Sequence, residues 1–322
     1  MEKRDRSETR KHYFLDEYVV IAPGRFKRPH DYEIIEKTKR VRKCHFCEEM
    51  KGKRKKRKFI EAVWDGKSKS NNKHWAIAVI PNKYPAFSLD NKNAYGSQEI
   101  VIESPKHVVS FSDLPVRRIR QILDVFQNRI TVLEKLPKIK YILVFKNDGP
   151  NSGASLSHVH SQIYAASLYP AELQREIEGI GEYFSKTGKC PYCDIAEKES
   201  RSKRKIYEDD YMIAFAPYSS KYKFEAWVIS KRHAHTLLDL NAAEKDSLAR
   251  ILKMLISYLD KNNFSYNFFT HFIRGGNLHF YLKLIPRIGS WGGVEAASES
   301  DLIINPVSPE MARNFYQGKL KP

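Results

Sequence analysis

The chain has 322 residues, of which 42% are hydrophobic, and its 56 Lys and Arg against 38 Asp and Glu give a formal net charge of +18. The hydrophobic share excludes a mainly disordered chain, and a length near twice that of a domain of about 150 residues predicts two domains or two similar halves. The positive charge favours anionic partners such as nucleotides, phosphorylated metabolites or nucleic acid. No apolar signal segment opens the chain and no run reaches the roughly 18 apolar residues of a membrane span, so we expect a cytoplasmic protein.

The first half alternates short strands with one long helix. Residues 75–81, 98–103 and 141–145 alternate like strands. Between the last two strands, apolar residues recur at helical spacing from Val116 to Leu133, and Asp113 is the expected N-cap.

The second half repeats the same order of elements. Residues 211–217, 225–230, 266–270 and 278–285 are predicted strands, and a helix opens with the capping-box pair Asn241 and Glu244. Strands outnumber helices, and no Gly-x-Gly-x-x-Gly follows a strand. We therefore predict an α+β fold: two tandem repeats of mostly antiparallel sheet, each with one long helix, joined near Tyr169 and Pro170.

The four cysteines form two Cys-x-x-Cys pairs, Cys44 with Cys47 and Cys190 with Cys193. The two-residue spacing lets both thiolates of a pair bind one tetrahedral ion, for which zinc is the default. One zinc could take all four thiolates, or each pair could bind its own zinc together with histidines. A thioredoxin-type redox pair is a third reading of the same spacing.

The segment from Asn147 to Gln162 is the densest in reactive residue types. Gly149 and Gly153 permit a tight turn whose backbone N–H groups can face a phosphate. A strand through His158, His160 and Gln162 would place these three side chains on one face. Two adjacent imidazoles beneath such a turn suggest one metal ligand and one nucleophile.

These motifs resemble the galactose-1-phosphate uridylyltransferase family, a branch of the histidine-triad superfamily. The resemblance spans nearly the whole chain, from residues 18–29 with their Arg-x-x-Arg-Pro, through the first cysteine pair, Ser-Pro-Lys-His107 and His-x-His-x-Gln, to residues 284–287 and 304–310. His-Val-His-Ser-Gln stands where well-known hexose uridylyltransferases have His-Pro-His-Gly-Gln. The motif His-Val-His-Ser-Gln is more similar to that of the branch that includes ADP-glucose phosphorylase.

The resemblance implies a zinc held by Cys44, Cys47, His107 and His158, with His160 as the nucleophile and Gln162 as a further catalytic residue. The implied contacts to the nucleotide diphosphate are Arg25, Arg28, Asn82, Asn147, Gly153, Ser155 and Gln162. Aligning the two repeats adds a second, structural zinc at Cys190, Cys193, His233 and His279, with His235 a rival for His233. In the second repeat Tyr281 replaces the nucleophile, so we expect residues 1–170 to be the catalytic half and residues 171–322 a degenerate repeat.

The implied reaction is that of a UDP-glucose–hexose-1-phosphate uridylyltransferase of galactose metabolism. It would follow a ping-pong mechanism through a covalent nucleotidyl-histidine. The resemblance also implies a homodimer. Alternatives in the same superfamily are an ADP-glucose phosphorylase or adenylyltransferase and a diadenosine-polyphosphate phosphorylase. A distant alternative is a zinc-stapled nucleic-acid-binding protein that uses the basic run at 51–58, where seven of eight residues are Lys or Arg. A solvated loop is the simpler reading of that run.

Overall fold

A computed structural model describes residues 6–27, 44–50, 58–64, 75–108, 110–274, 278–289 and 303–320. The strands are β1 (Glu8–Lys11), β2 (Tyr18–Ile21), β3 (Glu61–Trp64), β4 (Trp75–Pro81), β5 (Gly96–Ile102), β6 (Tyr141–Asp148), β7 (His160–Ala166), β8 (Lys205–Glu208), β9 (Met212–Phe215), β10 (Ala226–Ser230), β11 (Ser265–Ile273), β12 (Tyr281–Arg287) and β13 (Ile303–Asn305). The helices are α1 (His45–Met50), α2 (Val116–Leu133), α3 (Ala171–Thr187), α4 (Pro191–Ser200), α5 (Ala242–Lys261) and α6 (Pro309–Tyr316).

Ten strands form one antiparallel sheet in the order β3-β4-β5-β7-β6-β11-β12-β10-β9-β8. Each half contributes five strands in the same relative order, and the halves join through the β6–β11 pair. A smaller sheet pairs β2 with β1 and with the parallel strand β13. The sheet thus shows the predicted repeat as an internal symmetry.

Helices cover both faces of the large sheet, because alternate residues along its strands are apolar on both sides. Helices α2, α5 and α6 pack on one face over a continuous core that includes Ile77, Val144 and Ile163. Helix α1 covers the opposite face of the first half around Phe46 and Ile102. Helices α3 and α4 cover the same face of the second half. The central strands β6 and β7 therefore lie between two apolar layers.

The predicted α+β fold is confirmed, with two differences in detail. The Asp113 N-cap is wrong: Asp113 belongs to a 3-10 turn, and α2 begins after Pro115, whose extended backbone precedes the first helical residue. The capping box of Asn241 and Glu244 is present at the start of α5. Helix α3 was not predicted, so the second half has more than one long helix.

Two sequence features fall wholly or mostly outside the described residues. Arg28 is one of them, and the basic run at 51–58 is the other, apart from Lys58. Among the described residues, no helix combines the length and the apolar composition that crossing a membrane requires.

Candidate metal and active site

The first cysteine pair meets two histidines at one end of the sheet. The side-chain ligand atoms of Cys44, Cys47, His107 and His158 all lie within 4.8 Å of one another. Nδ1 of His158 is 3.6 Å from the sulfur of Cys44 and 3.5 Å from that of Cys47, and Nδ1 of His107 is 3.5 Å from the sulfur of Cys47. Zinc–sulfur and zinc–nitrogen bonds at a tetrahedral angle require a sulfur–nitrogen separation of about 3.6 Å. The donor set and spacing therefore fit a four-coordinate zinc.

The other ring nitrogen of His158 identifies which atom would bind the metal. Its Nε2 donates to the carbonyl of Ser104 at 2.9 Å, which leaves the Nδ1 lone pair facing the sulfurs. His158 is not part of a strand, contrary to the sequence prediction: it lies in a bend, and β7 begins at His160. At this bend the ring faces the sulfur of Cys44, just before α1, and that of Cys47 within α1.

His160 presents a neutral imidazole with one nitrogen available. Its Nδ1 donates to the carbonyl of His158 at 2.7 Å, so the lone pair is on Nε2. Burial lowers the pKa of His160 to about 4, and the charge of Lys146 acts in the same direction. The rings of His158 and His160 both pack edge-on against Phe46, at centroid distances of 5.7 Å and 5.4 Å. A fixed, uncharged imidazole is what nucleophilic attack on phosphorus requires.

A buried ion pair underlies this histidine segment on the opposite face of β7. Lys146 and Glu103 are 1% and 0% exposed, and Nζ of Lys146 contacts a carboxylate oxygen of Glu103 at 2.7 Å. The same ammonium donates to the carbonyl of His160 at 2.8 Å, and the hydroxyl of Ser161 donates to Glu103. Sequence reasoning missed this network. The only signal was Ser161, the residue that stands in place of the family's glycine.

The turn after β6 has the expected left-handed glycines. Gly149 and Gly153 have φ of +84° and +80°. A methyl group on Gly149 would lie 2.4 Å from the hydroxyl oxygen of Ser265, so the approach to β11 also excludes a larger side chain. A methyl group on Gly153 would lie 4.0 Å from Nδ2 of Asn147, so the structure brings Asn147 and this turn together.

The remaining predicted contact residues are less closely gathered. Gln162 is half-buried on β7, opposite Phe145 of β6. Ser155 is exposed in the segment after the turn, and Arg25 is exposed in the 3-10 turn at 23–27. Asn82 follows β4, where its side-chain oxygen accepts from the backbone N–H of Tyr84. For these residues the structure gives a position but no contact with His160.

The second cysteine pair forms an equivalent group in the second repeat. Nδ1 of His279 is 3.7 Å and 3.5 Å from the sulfurs of Cys190 and Cys193, and Nδ1 of His233 is 3.3 Å from the sulfur of Cys193. Nε2 of His279 is 2.8 Å from the carbonyl of Ser230, the same arrangement as for His158. The cysteine pairs thus lie in separate groups, each completed by two histidines, and not in one four-thiolate group.

Two positions distinguish the second repeat from the first. The rival His235 directs its Nδ1 to the carbonyl of Leu278 at 3.1 Å and is not a member of the cysteine group. Tyr281 opens β12 as His160 opens β7, and its hydroxyl donates to Glu176 of α3 at 3.0 Å. Burial holds the pKa of Tyr281 well above its usual range. A protonated, hydrogen-bonded phenol therefore stands at the position that His160 occupies in the first repeat.

Comparison with known proteins agrees with this geometry. The family model of the galactose-1-phosphate uridyl transferase N-terminal domain matches residues 1–170, and that of the scavenger mRNA decapping enzyme C-terminal region matches residues 189–288. The ADP-glucose phosphorylase of Arabidopsis thaliana is 30% identical over 94% of this chain and 90% of its own length. The chain belongs to the galactose-1-phosphate uridylyltransferase family.

Other members of the family have the same fold. The galactose-1-phosphate uridylyltransferase of Thermotoga maritima is 28% identical over 73% of this chain and 82% of its own. The crystal structure of the Arabidopsis thaliana ADP-glucose phosphorylase with bound ADP-glucose superposes with a TM-score of 0.82 at 29% identity, over 98% of this chain and 100% of that one. A uridylyltransferase structure gives 0.72 at 25% identity, over 98% and 100%. The chain is therefore an enzyme of a nucleotidyltransferase family, one that acts on nucleotide sugars and sugar phosphates.

Proposed function

We propose that this enzyme transfers a nucleoside monophosphate from a nucleotide sugar to a phosphate-bearing acceptor through a covalent intermediate on His160. The observation that carries the proposal is the state of that ring: buried, neutral and hydrogen-bonded at Nδ1, with its lone pair on Nε2. The ammonium of Lys146 donates a hydrogen bond to the backbone carbonyl of His160. A nucleophile fixed in this way needs little further ordering before it attacks.

The reaction then has two displacements at the same phosphorus. Nε2 of His160 attacks the α-phosphorus, a nitrogen–phosphorus bond forms, and the bond to the sugar phosphate breaks with its electron pair leaving on that group. In the second step a phosphate oxygen of the acceptor attacks, and the nitrogen–phosphorus bond breaks to restore the neutral imidazole. Dividing one difficult displacement into two is the advantage of covalent catalysis.

Donors around the site offset the negative charge that builds up on the phosphoryl oxygens. We assign this task to the backbone N–H of Gly153 and the side-chain NH2 of Asn147, together with Ser155, Gln162 and Arg25. Gln162 shares a strand face with His160, two residues away along β7. Arg28 and Asn82 remain predicted contacts to the nucleotide.

We propose that each cysteine–histidine group holds one zinc ion. The first would be bound by Cys44, Cys47, His107 and His158, and the second by the corresponding residues of the other repeat. A closed four-ligand site of this type supplies structural stability, with no position left open for substrate. Binding of His158 would fix the backbone that carries His160, because the two residues are linked through the hydrogen bond from His160 Nδ1.

The main proposal for the substrates is UDP-glucose with a hexose 1-phosphate such as galactose 1-phosphate. The alternative is phosphorolysis of ADP-glucose. It is favoured by the similarity to the ADP-glucose phosphorylase of Arabidopsis thaliana over nearly the full length of the chain. Incubating the protein with UDP-glucose or ADP-glucose, each with galactose 1-phosphate or inorganic phosphate, distinguishes the two. Label in the nucleoside should stay on the wild-type protein when the acceptor is withheld, and His160→Ala should remain unlabelled.

The oligomeric state and location complete the proposal. We expect a homodimer, which sedimentation at micromolar protein would test. The four cysteines are free thiols, and they stay available as ligands in a reducing compartment such as the cytoplasm. The nucleic-acid alternative predicts steeply salt-dependent RNA binding that His160→Ala leaves unchanged.

A further inference from the structure

Strand β11 of the second repeat contacts the turn that follows β6 in the first. Nδ2 of Asn267 donates to Oδ1 of Asn147 at 2.7 Å and to the carbonyl of Ser152 at 3.0 Å. The hydroxyl of Ser265 accepts from the backbone N–H of Asn151 at 3.2 Å. Side chains of the non-reactive repeat therefore hold the turn that we assign to phosphate binding.

Arg287 of β12 fixes the orientation of the side-chain amides of Asn267 and Asn147. A guanidinium has only donors, so Nε of Arg287 can pair only with the oxygen of Asn267. The carbonyl of Ser152 can only accept, so it independently requires the nitrogen of Asn267 on its side. Asn147 must then present its oxygen to Asn267, which leaves the Asn147 NH2 pointing away from β11.

The side chains of Asn147 and His160 lie on the same face of the sheet, near the ends of neighbouring strands. Strands β6 and β7 pair Phe145 with Gln162. Asn147 is two residues beyond Phe145 and His160 is two residues before Gln162, so strand alternation puts both side chains on the same face of the sheet. The 4.0 Å separation between Asn147 Nδ2 and a methyl group on Gly153 places the NH2 on the side of the turn.

We propose that Asn267 and Arg287 are positioning residues that aim the NH2 of Asn147 at a phosphoryl oxygen of the bound nucleotide. This inference rests on the proposed function, since the phosphoryl group is the one that His160 attacks. The degenerate repeat, which has Tyr281 at the nucleophile position, thereby takes part in the reaction by orienting a donor in the other repeat.

Two substitutions of Asn267 test the orientation. In Asn267→Asp the carboxylate still accepts from Arg287 but offers no donor, so the Asn147 amide turns to donate to it and directs its own oxygen at the phosphate. In Asn267→Ala the Asn147 amide is free to adopt either orientation. We expect kcat to fall by ~100-fold for Asp and ~10-fold for Ala, with little change in KM. A merely structural role predicts the reverse order, because Asp keeps the shape and the arginine contact.

A double-mutant cycle with Asn147→Ala shows whether Asn267 acts through Asn147. In that background each substitution of Asn267 should change kcat by less than ~3-fold, because the group being aimed is gone. Losses that persist at full size would overturn the proposal, since they would come from direct repulsion of the phosphate or from the fold. If circular dichroism shows that Asn267→Asp does not fold, Asn267→Ala carries the same cycle.

The control variant is Thr270→Val, which removes a hydrogen bond from the same strand to the carbonyl of Tyr281. It should lower the free energy of unfolding and leave kcat per folded molecule unchanged. If the wild-type protein forms no labelled histidine with either nucleotide sugar, the proposed function fails. If the wild type is labelled and both Asn267 variants match it in kcat, only the positioning inference fails.

Discussion

Replacing Lys146 with methionine gives the sharpest test of what holds the histidine segment in place. Methionine keeps most of the apolar stem of lysine, so the change removes a charge and its hydrogen bonds and creates little cavity. Two groups then lose a hydrogen-bond donor: the carboxylate of Glu103, which is 0% exposed and keeps the hydroxyl of Ser161, and the carbonyl of His160.

The size of the effect follows from the burial of this pair. Removing one member of a buried ion pair costs about 3–5 kcal/mol, because the other charge is left without compensation. Glu103→Gln in the same chain removes that charge and still accepts from Ser161. The double variant should therefore regain more than half of the loss and stay about 1–2 kcal/mol below wild type, the cost of the unpaired His160 carbonyl and weaker hydrogen bonds.

The pH dependence provides a signature of the uncompensated carboxylate. Burial raises the pKa of Glu103 above its value in the unfolded chain, and Lys146 opposes that shift. Without Lys146 the pKa of Glu103 rises further, so the folded variant binds a proton more tightly than the unfolded one. The stability deficit of Lys146→Met should then be largest at pH 8 and shrink as the pH falls toward 5. Urea denaturation at the two pH values measures it.

The matched control breaks a second buried ion pair, that of Arg129 with Glu99, with side-chain exposures of 8% and 3%. Arg129→Met should lose a similar free energy of unfolding and keep kcat per folded molecule. Lys146→Met should lower kcat as well, because the backbone carbonyl of His160, the proposed nucleophile, loses its donor. Equal kcat in the two variants, or a deficit in Lys146→Met that does not change with pH, would refute the reasoning.

Further predictions concern the metals and the nucleophile. His160→Ala should keep two zinc ions per chain by elemental analysis and give no labelled protein; residual turnover would exclude it as nucleophile. Cys44→Ser should lose one zinc and unfold at lower urea, since ligation is coupled to folding. Cys190→Ser should lose the other zinc yet still form the labelled intermediate in a single turnover. Because burial holds the pKa of His160 at about 4, labelling from a nucleotide sugar should vary by less than ~2-fold between pH 6 and 8 in quench-flow.

The repeat and the chemistry of the site could be predicted because both depend on short stretches of sequence. Strand alternation and helical spacing are local, and they gave the order of elements in both halves. The Cys-x-x-Cys spacing is local too, and it predicted that each pair would face one ion. The wrong prediction at His158 also came from a local pattern. Alternation predicted a strand there, but His158 lies in a bend and its ring faces the sulfur of Cys47 in α1.

Contacts between distant segments could not be predicted in this way. Lys146 and Glu103 are 43 residues apart, and neither belongs to a motif that indicates a partner. Asn147 and Asn267 are 120 residues apart and meet because β6 and β11 pair in an antiparallel register. Nothing in the spacing of either strand fixes that register.

The amino-acid sequence by itself determined the tandem repeat and the two cysteine pairs, and the family resemblance added the histidines of each group and the one histidine that is absent from the second copy. The tertiary structure decided which ring nitrogen of His158 faces the sulfurs, which nitrogen of His160 carries the lone pair, and which end of the Asn147 amide faces the turn. The sequence identifies the functional groups, but the tautomer or orientation of each side chain depends on a hydrogen-bond partner. Those partners come from other strands, and packing of the whole sheet brings them within reach.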